Sequence, residues 1–424
     1  MFDIALRPRK RTYIAIAVVL VLLVLTSAIS VAAGAKNQVL GLNNATVSGN
    51  ATKNGANVNF NQATTAPTQP TTTQPAATTT MPMNHGLDSV DQAAASLRNT
   101  NPKFSENSNV PMSQLNLASL VTQGGSPSDG NGSEGQFRTY CQWSHFNNDD
   151  PIVYPGKQNA THLHMYFGNT MANYATNDNS LFNSGGGSCL GYAANRTAYW
   201  VPAMKTTTGK VVLPRTIIIY YKTGGMLPTS SFSEMPKGLK ILTGFATATE
   251  ADPQIGGFKC SAFENIDVGD GKPYIPDCPV GSTLREKINF PNCWNGVLDP
   301  SKTNPSDNRS NMAFMYATGG SNNQYLCPAS HPIRLPRIQY LVDYAVTSDT
   351  KTWFLSSDRM NGVNKKPGTT LHADWYGGWA DSVMTTWTNN CIKTGRNCSP
   401  GILNNGTTLA GGQNVSNYPG PYEK

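Results

Sequence analysis

Val211-Val-Leu-Pro-Arg-Thr-Ile-Ile-Ile-Tyr-Tyr221 is the stretch whose reading decides the fold class. Three consecutive β-branched residues, Ile217, Ile218 and Ile219, are stiff in a helix and pack well on a pleated surface, so the segment reads as a strand. Working outward, short apolar or alternating runs return at residues 239–245, 338–345 and 352–355, separated by turn-forming stretches such as 300–307. A helix is expected over 381–390, where Val383, Met384 and Trp387 share a face, and a short one over 87–97. The expected fold is a β-rich α+β domain with an antiparallel sandwich-like core, a minor helical part and an N-terminal transmembrane helix.

The flanks differ in composition. No charged residue occurs between Ile14 and Ala33, and a helix of such a run, about 30 Å long, matches a bilayer core. Arg7, Arg9, Lys10 and Arg11 precede it and orient the N-terminus to the cytoplasm. Residues 1–35 therefore read as a basic segment and membrane anchor, with membrane contact through residues 12–34. The other reading is a signal peptide cleaved after Ala35, and both export the remainder of the chain. Residues 36–133, rich in Asn, Thr, Pro and Ser, read as a disordered stalk, residues 137–398 as the globular domain, and residues 399–424 as a flexible tail.

Of the formal charge of +7, a net three units belong to the segment before the apolar run, where Asp3 offsets one of Arg7, Arg9, Lys10 and Arg11. No basic stripe occurs beyond it, which argues against a nucleic-acid partner. All eight cysteines, Cys141, Cys189, Cys260, Cys278, Cys293, Cys327, Cys391 and Cys398, lie in the presumed domain. An even number in an exported chain reads as a disulfide framework. Pairing stays open, with Cys391–Cys398 the most local choice and Cys141–Cys189 the next. No CxxC pair suggests a zinc ribbon.

The chemistry-bearing pattern is Thr161-His162-Leu163-His164-Met165-Tyr166-Phe167. In an extended segment residues i and i+2 share a face, which brings His162 and His164 together. His372-Ala373-Asp374 has the same spacing. The two pairs facing each other would make a His3Asp set suited to zinc, manganese or a similar divalent metal. The same residues with Asp150 could instead form a metal-free acid/base cleft, in which Asp150 or Asp149 joins Asp374 as the two carboxylates of glycoside hydrolysis. Asp150 also precedes Pro151, and its plainer use is to cap a turn. Trp200, Trp294, Trp375 and Trp379, with His145, are candidate ligand-binding residues, since aromatic faces stack on sugar rings. No GxSxG elbow and no phosphate-binding glycine loop is present.

Several of these motifs together resemble a known family. Phe137-Arg138, Cys141, Ser144-His145, Asp149-Asp150-Pro151, His162-Leu163-His164, Ala198-Tyr199-Trp200-Val201-Pro202, Cys293-Trp294-Asn295-Gly296 and Leu371-His372-Ala373-Asp374-Trp375 are similar to the domain of unknown function family nineteen ninety-six, known mainly from secreted proteins. The resemblance implies an exported domain and no particular reaction. One departure is Asp307-Asn308-Arg309-Ser310-Asn311, where the family pattern Asp-His-x-Ser-His has two histidines. If those histidines belong to the family's site, the site here is altered.

The functional expectation is an extracytoplasmic carbohydrate-active hydrolase acting on a polysaccharide, with catalytic His162, His164, Asp150, Asp374 and His372, and with metal ligands His162, His164, His372 and Asp374. The rival readings are a noncatalytic glycan-binding domain and a structural cell-envelope protein.

Overall fold

The isoleucine run lies in strand Thr216–Lys222. The computed structural model describes residues 89–127, 134–261, 271–300, 310–319 and 324–424. Thr216–Lys222 is inside a six-stranded sheet ordered Asn397–Cys398, Gln136–Cys141, Thr216–Lys222, Arg337–Ala345, Thr283–Asn289, Gly256–Ser261. Every pairing in it is antiparallel except the first. Ile217, Ile219 and Tyr221 point into the core, and Ile218 packs with Leu341 in a small cluster of its own. Val211 and Val212 lie outside this strand and make isolated bridges, and Pro214, which has no N–H to give a ladder, stands between them and it.

A second, five-stranded antiparallel sheet is ordered Trp143–Asn147, His164–Gly168, Ala198–Pro202, His372–Tyr376, Lys240–Gly244. Its first four strands are buried along their whole length, so both faces are covered. Side chains on one face meet the six-stranded sheet. Phe167 and Tyr199 lie edge-on to Tyr340 at 5.5 and 5.8 Å, and the Trp375 indole donates to Tyr221 Oη at 3.1 Å. By the pleat, His164, Tyr166, Trp200, His372 and Asp374 stand on the other face. Register agrees, since Tyr166 pairs with Trp200 and Trp200 with Asp374.

The structure is therefore β-rich with a minor helical part. The strands expected at 239–245, 338–345 and 352–355 are Lys240–Gly244, Arg337–Ala345 and Trp353–Leu355. The expected helices are Asp381–Trp387, continuing into a π-helical turn Thr388–Ile392, and Ser89–Ala95. Among the described residues no helix is long and apolar enough to cross a membrane. The apolar segment 12–34 and the turn residues 301–307 lie outside the described residues.

Two boundaries differ from the sequence reading. Of the expected stalk, residues 36–88 and 128–133 lie outside the described residues, while 89–127 are laid along the domain. Phe104 and Leu120 are buried, strand Val121–Gln123 pairs with Thr407–Leu409, and Arg98 bridges to the edge strand at His145. Arg196, itself buried, donates to Asn107 O, Val110 O and Phe182 O. The expected flexible tail is also part of the fold: Leu403, Leu409 and Val415 are buried, and Val211 and Lys424 exchange two backbone hydrogen bonds. Both segments are poor in apolar residues on average, but the few they carry are placed against the body.

Four disulfides join Cys141–Cys189, Cys260–Cys278, Cys293–Cys327 and Cys391–Cys398, and they fit an extracellular location. Each contributes about 2–4 kcal/mol, chiefly by constraining the unfolded chain.

Burial of Leu409 and Val415 alone contributes about 3–6 kcal/mol. A chain ending at Cys398 is accordingly expected to melt well below the full-length protein and to be digested faster by protease. Equal melting temperatures and digestion patterns would contradict this placement of the tail.

Candidate metal centre

Two pieces of strand pairing build the site. Strand His164–Gly168 presents His164 on the buried polar face, and His162 lies two residues before it, its ring centroid 4.2 Å from that of His164. Strand His372–Tyr376 presents His372 and Asp374 on the same face from the far side of Ala198–Pro202. Gly244, opposite His372, has φ +73°, and a Cβ there would sit 2.1 Å from Leu371 O and 2.5 Å from His372 Cα. Only glycine allows this approach.

The ligand atoms of His162, His164 and His372 lie within 4.8 Å of one another, and so do those of Asp150, His164 and Asp374. All five residues are buried. His162 Nε2 and His372 Nε2 are 3.2 Å apart. The other ring nitrogens face fixed partners: His164 Nδ1 is 2.9 Å from Asp149 O, His372 Nδ1 is 2.7 Å from Thr370 O, and His162 Nδ1 is 3.0 Å from Ser356 Oγ. A carbonyl oxygen only accepts, so His164 and His372 carry their protons on Nδ1 when neutral, which leaves Nε2 as a lone pair. His164 Nε2 is buried and has no hydrogen-bond partner among the described residues.

Burial pushes His164 down to about 3, with the nearby His372 adding to the shift and the Asp149 carbonyl opposing it. His164 is thus held neutral, the state a metal ligand needs. Burial pushes Asp150 up to about 6, against the amides of Val153 and Ile152 and a contribution from the Trp200 indole. The Trp200 Nε1 makes no hydrogen bond of ordinary geometry. Asp150 is both a turn cap and a member of the cluster, since its Oδ1 accepts from Ile152 N at 2.9 Å and Val153 N at 2.8 Å. Asp149 belongs to the surrounding framework. Its carboxylate accepts from Asn159 N and Tyr174 N, and its carbonyl from His164 and Tyr166 Oη.

The expectations for Trp200, Trp375, Trp379 and His145 need correction. Trp200, Trp375 and Trp379 are 0 to 1% exposed, so no sugar ring reaches their faces. Trp200 stacks on Tyr166 at 5.2 Å, and Trp375 and Trp379 both donate to Tyr221 Oη. Their size gives each a large area to bury, which decides their place. Trp294 is half-buried, its indole donating to Val297 O. His145 is buried and saturated, bonded to Ser144 Oγ and Ala172 O and stacked on Tyr166 at 4.9 Å. Asn311, where the resemblance leads one to expect histidine, donates to Lys240 O. Lys240 is at the opposite end of its strand from Gly244, roughly 13 Å along the sheet from His372, so the departure at Asn311 does not alter the cluster. Asp307, Asn308 and Arg309 lie outside the described residues.

Sequence reasoning missed Ser356, Ser357 and Asp358, which come directly after strand Trp353–Leu355 and contact the cluster's supports. The available signal was three polar, turn-forming residues directly after an apolar run.

These observations define an extracellular-type, disulfide-linked β domain with a buried histidine and carboxylate cluster. The domain of unknown function DUF1996 matches residues 150–379, more than half of the chain and all five cluster residues, and the chain belongs to that family. No curated protein and no solved structure matches it.

Burial, with the charge of Arg98 adding to it, pushes His145 down from 6.5 to about 3. A depressed histidine leaves stability intact above its unfolded value and erodes it as pH falls, because the unfolded chain takes up the proton first. From pH 6.5 to about 4.5 the loss amounts to about 2–3 kcal/mol. The stability advantage of wild type over His145→Gln, measured by denaturant unfolding, should shrink by that much across this interval. A pH-independent difference would contradict the assignment.

Proposed function

We propose that the exported domain binds one divalent transition-metal ion through His162, His164 and His372 with Asp374 as the carboxylate ligand and Asp150 beside it. The observation that carries the reading is the convergence of three imidazoles and two carboxylates within the two overlapping 4.8 Å groups, all of them buried. Such groups are costly to bury without a compensating charge, and a divalent cation supplies one. Imidazole-rich donor sets with one carboxylate favour zinc or copper over magnesium and calcium. The groups share His164, whose Nδ1 faces the Asp149 carbonyl, so a single ion rather than two occupies the cluster.

On this reading the ion neutralises the buried carboxylates and fixes the imidazoles; the expected polysaccharide hydrolysis, in which a bound ion would supply an activated water, needs a substrate to reach residues that are all buried, and the geometry lends it no support. The two-carboxylate glycosidase scheme meets the same obstacle: oxygens of Asp150 and Asp374 lie within 4.8 Å of one another, close to the spacing of a retaining pair, but both residues are buried where no sugar ring reaches them. The two facing sheets serve as a sandwich-like scaffold for the site, and the apolar segment 12–34 as its membrane anchor.

Full-length protein from an oxidising secretory host is expected to contain stoichiometric zinc or copper, to lose it with His164→Ala, and to melt lower after chelation. A site filled at a hundred times its Kd contributes about 2.7 kcal/mol. Absence of metal after dialysis against zinc, copper and manganese, together with an unchanged melting temperature in chelator, would overturn the proposal.

A further inference from the structure

We infer that Ser356 and Asp358 are positioning residues of this centre, fixing the tautomers and orientations of His162 and His372 so that their Nε2 lone pairs point inward. The inference rests on the metal reading above and concerns residues outside the ligand set. Ser356 has one hydroxyl proton, and its Oγ lies 2.5 Å from Leu163 O, which only accepts. With that proton committed, Ser356 Oγ accepts from His162 Nδ1 at 3.0 Å. The second neighbour of His162 Nδ1 is the Leu163 carbonyl at 3.3 Å, another acceptor. Both demand a proton on Nδ1, and neutral His162 therefore carries its lone pair on Nε2.

Asp358 does the same for His372 one step removed. Its carboxylate accepts from Leu355 N at 3.0 Å, Gly368 N at 2.7 Å, Thr370 N at 3.1 Å and Thr370 Oγ1 at 2.8 Å. Ser357 Oγ donates to Thr370 Oγ1 at 2.6 Å. Thr370 is thus held on three sides, and its carbonyl receives His372 Nδ1–H at 2.7 Å. One short turn after strand Trp353–Leu355 therefore orients both imidazoles, while the Asp149 carbonyl orients the third.

The consequence is specific. With Nδ1 protonated on both rings, the Nε2 atoms of His162 and His372 present two lone pairs to each other at 3.2 Å. Their repulsion is relieved by a cation between and beside them, and the turn holds the rings in that arrangement before the ion arrives. Outer partners of this kind typically govern metal affinity by about 10–100-fold.

The test uses the full-length chain with cobalt(II) as a spectroscopic probe. Ser356→Ala is expected to weaken cobalt binding about 10–100-fold and to change the d–d spectrum at saturation, with Ser356→Thr restoring both. Asp358→Asn is expected to change the spectrum as well, whatever it does to melting. Histidine-selective 15N spectra of the metal-free wild type are expected to show His162 and His372 protonated on Nδ1. Wild-type affinity and spectrum in Ser356→Ala, or an Nε2 proton on His162, would overturn the inference. A wild-type chain that takes up no cobalt overturns the metal reading instead, and the 15N tautomers still decide this one.

Discussion

Burying three imidazoles and two carboxylates together at one face of a sheet, with His164, His372 and Asp374 on its strands and His162 and Asp150 in flanking turns, is the constraint to which the rest of the structure answers. Each ionised group withdrawn from water costs several kcal/mol unless it is paired or hydrogen-bonded. His164 responds by staying neutral, held far below its ordinary range by burial, and Asp150 by titrating higher than an exposed aspartate. Around the cluster, backbone groups take up the outward-facing polar atoms: the Asp149 and Thr370 carbonyls on the imidazoles, and the Ile152 and Val153 amides on Asp150.

The fold keeps water from relieving that cost. The five-stranded sheet has aromatic packing against the six-stranded sheet on its other face, and its edge strand is covered by the Arg98 segment. The Arg98 segment and the C-terminal tail meet each other in the pairing of Val121–Gln123 with Thr407–Leu409. Disulfides tie strand ends to neighbouring loops, as in Cys141–Cys189. Side-chain positions at the cluster are accordingly set largely by backbone groups, which is the arrangement that the proposed ion would need.

Much of this was legible in the sequence. The period of two in His162-Leu163-His164 and His372-Ala373-Asp374 identified the cluster, because pleating is a local property that spacing reports directly. That the two pairs meet depends on strand order, with Ala198–Pro202 between them, and order is a long-range fact that no local pattern carries. The tryptophans misled because aromatic area serves a core and a sugar platform equally well, and only burial separates the two uses. The stalk and tail boundaries were misread because window composition averages away single anchors such as Phe104 and Val415. Ser356 and Asp358 were invisible for a different reason: their importance lies in what they accept and donate across the fold.

The most direct test of the central claim is X-ray absorption at the metal edge of the zinc-loaded full-length chain. The account predicts nitrogen and oxygen ligands at about 2.0–2.1 Å with outer-shell scattering from three imidazoles. An oxygen-only shell without imidazole scattering would contradict it.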